Sequence, residues 1–105
     1  FQEDRLLKQM PAQANIALVN PAAAKEADPL LKELGIDAES LPQPVSAYSG
    51  GMKRRVALVR ALEAGSSVVL LDEPFTGMDA VTRERAEKYI RERQQGRTII
   101  IATHI

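Results

Sequence analysis

The 105-residue chain contains no cysteine and no tryptophan, one histidine, and only two tyrosines and two phenylalanines. Without cysteine there is no disulfide framework, which is compatible with a reducing compartment. Six glycines and six prolines exclude a collagen-like repeat. An excess of charge of one sign is also missing. The 14 basic and 14 acidic residues balance, so the chain has no field to steer it toward nucleic acid. Long apolar runs are absent: stretches such as 68–71 and 99–102 fall far short of the ~20 residues that cross a bilayer. No basic-then-apolar segment opens the chain. What remains is ordinary. An apolar fraction of 45 % with 27 % charged residues is that of a globular domain and excludes a disordered chain.

The length allows one small domain. Composition changes near Pro44. Before it, Pro11, Pro21, Pro29, Pro42 and Pro44 divide the chain into short segments, because proline starts or ends helices rather than continuing them. Residues 4–10, 12–19 and 22–34 are rich in Ala, Leu, Lys and Glu and are predicted as helices, with Gly35 placed as a stop. After Pro44, Met52, Val56, Leu58, Val59 and Leu62 recur at helical spacing over 52–64, and Gly65 follows. Residues 67–72 form a uniformly apolar strand of the kind buried on both faces of a parallel sheet. Asp79 can cap a helix running to about Gln95, with Gly96 beyond it, and 98–103 is a second apolar strand. Strand, helix, strand at this spacing is a βαβ unit with parallel strands. The expected class is α/β, with an all-helical first half and an α/β second half.

Three places carry chemistry. The strand ends in Asp72-Glu73-Pro74, which sets two carboxylates at the C-terminal edge of a parallel sheet, where open α/β sheets bind ligands. One such carboxylate can hold Mg²⁺ while its neighbour orients or deprotonates a water. A strand that simply ends in solvated acids reads as well from these residues alone. Ser49-Gly50-Gly51 before a helix lets backbone N–H groups approach an anion, with a hydroxyl and the helix N-terminus beside them. A flexible turn with Ser49 as cap is the plainer alternative. His104 ends the second strand and could donate to a phosphate oxygen, and Gln2 could offer a carbonyl to a metal or water, but neither carries a signal by itself. The run Lys53-Arg54-Arg55 is expected to be a solvated, salt-bridging helix face.

The order of these strings is more specific than any one of them. Taken together they strongly resemble the ATP-binding cassette (ABC) ATPase family. Ser49-Gly50-Gly51 with Lys53, Arg54, Arg55, Arg60, Ala61 and Leu62 looks like the ABC signature and its helix. Residues 68–73 look like Walker B and the catalytic glutamate, Thr76-Gly77-Met78-Asp79 like the D-loop, and Thr103-His104 like the switch histidine. Phe1-Gln2-Glu3-Asp4-Arg5-Leu6-Leu7 looks like the Q-loop and is most similar to importers of the nitrate, sulfonate and taurine type. The resemblance implies a partial P-loop NTPase fold: a helical subdomain plus a βαβ part of the parallel sheet, without the Walker A half. It divides the chain into a Q-loop and helical subdomain at 1–47, and signature helix, Walker B strand, D-loop, helix and switch strand at 48–105. It also implies roles. Asp72 and Gln2 would serve Mg²⁺, Glu73 would be the general base, and His104 would contact the γ-phosphate. Ser49, Gly50 and Gly51 would clamp the γ-phosphate of ATP on an opposite subunit, and Asp79 would lie at that interface. Implied partners are an ABC permease and a second ATPase subunit, at the inner face of the cell membrane, with no nucleic acid.

Tyr48 and Met52 depart from the Leu and Gln that the family most often carries, without removing the phosphate-contacting residues. The larger departure is that no Gly-Lys pair occurs anywhere, so the phosphate loop G-x-x-x-x-G-K-[S/T] is missing from these residues. The first residue is Phe1 and the last motif stops one residue past His104, so a piece of a longer protein is expected. Mg²⁺ and ATP belong to the complete subunit, and this chain alone is expected neither to bind them tightly nor to hydrolyse ATP. A two-stranded apolar sheet is expected to leave bare surfaces and to promote self-association. Two alternatives remain: a non-catalytic interaction module derived from such an ATPase, and an ABC ATPase serving DNA repair or translation. Against the latter, no coiled-coil insertion and no strongly basic stretch precedes the signature.

Overall fold

Helix starts in this chain follow its prolines and caps. The computed structural model describes residues 7–103. Helix α1 (Ala12–Ala17) begins directly after extended Pro11. A short 3-10 turn, Pro21–Ala23, leads into α2 (Ala24–Glu33), which accommodates Pro29 at an exposed position inside it. A second 3-10 turn, Val45–Ala47, precedes α3 (Gly50–Glu63). Then come β1 (Val68–Asp72), α4 (Ala80–Glu92) and β2 (Thr98–Ala102).

Gly35 does end α2, and its conformation shows why glycine stands there. Its φ is +95°, and the amides of Gly35 and Ile36 return to the carbonyls of Lys32 and Leu31, both at 3.0 Å. This paired closure needs a left-handed residue, which glycine adopts without a Cβ penalty. It turns Ile36 back into the core, where it is 1 % exposed.

The described part of the expected helix at 4–10 is not helical: residues 7–10 form a turn. The cause is Asn15, a fully buried polar residue of α1. Its Oδ1 accepts from the Leu7 amide at 2.7 Å, while its Nδ2 donates to the carbonyls of Leu7 at 3.1 Å and Pro11 at 3.2 Å. A side chain that satisfies these backbone groups competes with helix formation. The same turn receives the Val45 and Ser46 amides on the carbonyls of Met10 and Lys8, both at 2.9 Å.

Helix α3 is the centre of the molecule. Val56, Ala57, Leu58, Val59, Ala61 and Leu62 are all buried, a pattern too wide for a surface helix. One continuous apolar core joins Ile16, Leu31 and Leu34 on one side of it to Val69, Leu71, Ala86 and Ile90 on the other. The ends of α3 and α4 are held by Arg97 rather than by Gly65, which has no left-handed turn. The guanidinium donates to the carbonyls of Leu62 at 2.8 Å, Ala64 at 3.0 Å and Arg93 at 2.6 Å. A cation at two helix C-termini satisfies orphan carbonyls and opposes both dipoles.

Strands β1 and β2 pair in parallel, with Val68 opposite Thr98, Leu70 opposite Ile100 and Asp72 opposite Ala102. The Glu73 amide continues the ladder to the Ala102 carbonyl at 2.8 Å. The βαβ expectation holds, with the strands running 68–72 and 98–102. Burial on both faces does not. Val69 and Leu71 are buried, whereas Val68 is 57 % and Leu70 46 % exposed. Among the described residues, α3 covers one face of β1, Ile101 beside Leu71 on that same face stays 41 % exposed, and no element covers the face of Val68 and Leu70.

Candidate functional site

Ser49 sits at the N-cap of α3 in extended conformation, and its Oγ accepts the Met52 amide at 3.2 Å. Serine is suited to this because its short side chain reaches back to a first-turn N–H. The helix starts at Gly50, two residues earlier than its apolar spacing indicates. A Cβ added at Gly50 would meet nothing within 4 Å, and one at Gly51 would meet only the Thr76 carbonyl, at 4.0 Å. The first-turn amides are therefore approachable along their backbone, and the dipole adds positive potential there. Tyr48, the departure just before the cap, is absorbed by the core. It is 5 % exposed, its hydroxyl donates to the Leu41 carbonyl at 3.3 Å, and burial raises its pKa above 10.0.

Facing Gly51 is the turn that follows β1. Glu73 opens it at φ +49°, a left-handed conformation uncommon for a residue with a side chain. Such strain costs on the order of 1–3 kcal/mol and persists where the surroundings enforce it. Here the Ala102 carbonyl holds its amide, and the Thr76 hydroxyl donates to its Oε2 at 3.4 Å. The turn ends at Asp79, the N-cap of α4, whose Oδ1 accepts the Thr82 amide at 2.7 Å. That amide and the Thr82 hydroxyl hold the Asp79 carboxyl below 3.8, and Arg55 and Arg85 add to the effect.

Asp72 is exposed at the C-terminal end of β1, with Glu73 half-buried beside it. Both keep interactions with neighbouring groups. Among the described residues, no cluster of three or more acidic, His or Cys side chains could hold a metal. Asp72 and Glu73 can supply at most a pair of donors to a hard cation, which prefers six oxygens. Carboxylate plus phosphate oxygen is a suitable donor set for Mg²⁺, so the residues fit as part of a site and not as a whole one.

The structure thus brings Gly51, in the first turn that Ser49 caps, to within 4.0 Å of the Thr76 carbonyl in the turn between Glu73 and Asp79, and no contact joins Ser49 or Gly50 to that turn among the described residues. Gln2 and His104 lie outside the described residues. Asp72 also lines a cavity of about 20 Å³ with Arg54, Leu58 and Pro74, room for a water but not for a nucleotide. A larger groove, about 760 Å³, lies elsewhere, lined by residues of α2, α3 and α4. At its floor Glu63 pairs with Arg93 at 3.0 Å and accepts from Tyr89 at 3.0 Å, which joins the helices and offers no phosphate cradle.

The residues of the basic run 53–55 are half-buried rather than fully solvated. Arg54 lines the small cavity, and the Arg55 Nε is buried while its Nη2 donates to the Gly77 carbonyl at 3.2 Å. The sequence did hold a signal for this. No acid stands three or four residues from any of the three on the helix, so an intrahelical ion pair had no partner.

A family model described as ABC transporter matches residues 1–76. An aliphatic sulfonates import ATP-binding protein of Bacillus licheniformis is 37 % identical over 110 residues, covering 99 % of this chain and 43 % of that protein. The Rhodococcus jostii protein of the same description is 39 % identical over 106 residues, again 99 % of this chain and 43 % of the relative. A macrolide export ATP-binding/permease protein of Mannheimia succiniciproducens is 37 % identical over 112 residues, 99 % of this chain and 17 % of the relative. Among solved structures, a dimeric post-hydrolysis ATP-binding cassette bound to ADP and Pi superimposes with a TM-score of 0.76 at 25 % identity, over 100 % of this chain and 50 % of that one. The chain spans less than half the length of these curated relatives.

Proposed function

This chain belongs to the ABC transporter family, and we propose that it is the segment from Q-loop to switch histidine of the ATP-binding subunit of an importer. The observation that carries the reading is the open, glycine-lined N-terminus of α3 against the turn from Glu73 to Asp79. Import, rather than export, is favoured by the sulfonate-import relatives and by the opening string Gln2-Glu3-Asp4-Arg5. The transported substrate is left to the permease. Residues 1–47 form the Q-loop and helical subdomain that docks on the permease at the cytoplasmic face, and 48–105 form the catalytic part. No helix among the described residues is long and apolar enough to cross a membrane.

In this reading Ser49 and the amides of Gly50 and Gly51 bind the γ-phosphate of a nucleotide held on a second subunit. Their partial positive charge stabilises the oxygens as negative charge gathers on them. Asp72 with Gln2 would hold Mg²⁺, which neutralises phosphate charge when bound. Glu73 accepts the proton of the attacking water, His104 donates to the γ-phosphate, and Asp79 lies at the subunit interface. The phosphate loop comes from residues outside these 105, so the isolated chain neither binds ATP tightly nor hydrolyses it.

The test is a segment exchange. These 105 residues replace the matching stretch of a sulfonate-import ATPase, and ATP hydrolysis is followed. The exchanged protein is expected to remain active, and Glu73→Gln in it to lose about 10²- to 10⁴-fold in kcat. Full activity with Glu73→Gln would remove Glu73 from the base role.

A second reading, an interaction module without catalysis, draws on the bare sheet, where Val68, Leu70 and Ile100 are about half exposed. Unpaired edges and apolar faces of this kind recruit another chain. Self-association of the isolated chain is expected by light scattering and should fall with Val68→Ser and Leu70→Ser. A monomeric mass at high concentration would count against it.

A further inference from the structure

We infer that Arg55 is a positioning residue that locks the turn between Glu73 and Asp79 against α3, setting the spacing between the Ser49-Gly50-Gly51 end and Asp79. This rests on the reading above, in which those two segments belong to one nucleotide site.

The support is geometric. Arg55 lies in the second turn of α3, behind the helix end that Ser49 caps. Its Nη2 donates to the Gly77 carbonyl at 3.2 Å, tying positions 22 apart in sequence. Gly77 is at φ +80°, so the anchored carbonyl belongs to a left-handed residue at the tightest point of the turn. The side chain is half-buried, with its hydrogen bond to Gly77 at the surface. Its Nε is buried without a hydrogen-bond partner among the described residues, a cost that a freely solvated arginine would avoid. On the third side stands the end of α2. A Cβ at Gly35 would come within 3.8 Å of Arg55 Nη1 and 3.7 Å of the Thr82 side chain. Thr82 in turn supplies the amide that Asp79 caps. The guanidinium is therefore the meeting point of α2, α3 and the start of α4. Lysine, a point donor on a flexible stem, reproduces the charge but not the fork.

The test uses the 105-residue chain without nucleotide, at a dilution where it is monomeric. Amide exchange is measured residue by residue by NMR in the native chain, Arg55→Gln and Arg55→Lys, and the Asp79 carboxyl is titrated in each. Arg55→Gln is expected to speed exchange at Met78 and Thr82 about tenfold, the size of one charge-assisted hydrogen bond, while Val59 and Leu62 in α3 keep their protection. The Asp79 carboxyl is expected to titrate at higher pH in Arg55→Gln and to return most of the way in Arg55→Lys. A general loss of helix stability would not give that charge-dependent recovery. Unchanged exchange at Met78 and Thr82 in both variants would overturn the inference. Because no readout involves nucleotide, that result leaves the proposed function standing. Conversely, an inactive exchanged protein says nothing against the lock.

Discussion

The helices of the first half bury Ile16 and Leu31 completely, whereas the sheet of the second half leaves Val68 57 % and Ile100 50 % exposed. The residue types are the same and the local order is equally regular. The difference is what lies across from them. Leu31 is enclosed because α1 packs on α2 within the core centred on α3. Leu70 and Ile100 share a sheet face that no described element covers. Apolar content states a demand for burial, and topology decides whether one chain can meet it. The candidate site sits at the seam between these regions, with α3 reaching into both.

The widest gap between the two regions is thermodynamic. Leu31→Ala is expected to cost about 3 kcal/mol by urea unfolding, from lost transfer energy plus a cavity. Leu70→Ala is expected to change stability by less than about 0.5 kcal/mol, because its side chain already faces water. Equal costs would mean that the sheet face is covered in solution. Next comes Asn15→Ala, expected to cost about 2 kcal/mol because the part-buried Leu7 amide loses the acceptor that Asn15 gives it and the buried Asn15 site is left partly empty. That substitution sharpens the comparison, since it should free residues 7–10 to exchange while leaving β1 and β2 protected. A pH-dependent effect is expected at the exposed cap. The folded chain holds the Asp79 carboxyl below 3.8, so its contribution is present above that pH and is lost as pH falls through the depressed folded value. Asp79→Ala should therefore be less stable than the native chain at neutral pH, with the gap closing in acid. A gap independent of pH would show that the carboxylate is not what caps α4.

How much of this could be read from the sequence follows the range of the interactions. The caps at Ser49 and Asp79, the stop at Gly35 and the parallel pairing of 68–72 with 98–102 are local, or set by a short crossover, and were legible. The turn at 7–10 was not, because helix-favouring composition there is overruled by Asn15, eight positions away. Arg97 capping two helices and Arg55 reaching Gly77 bridge 22 to 35 positions, beyond any periodicity. The one-sided burial of β1 was half legible. An apolar strand announces that both faces want covering, but not which cover this chain provides. In the site, the caps at Ser49 and Asp79 were legible, and the phosphate and Mg²⁺ roles of 49–51, 72, 73 and 79 stay part of the proposed function. The left-handed Glu73 and the closeness of Gly51 to Thr76 needed the fold.

The proposed function makes these residues one part of a nucleotide site whose remainder lies elsewhere. Titration calorimetry of Mg-ATP into the isolated 105-residue chain tests it most directly. No detectable binding heat is expected, because Asp72 and Glu73 offer too few donors and no Gly-Lys pair is present to hold the phosphates. Stoichiometric binding would contradict the account, since the chain would then complete by itself a site that it is argued to share.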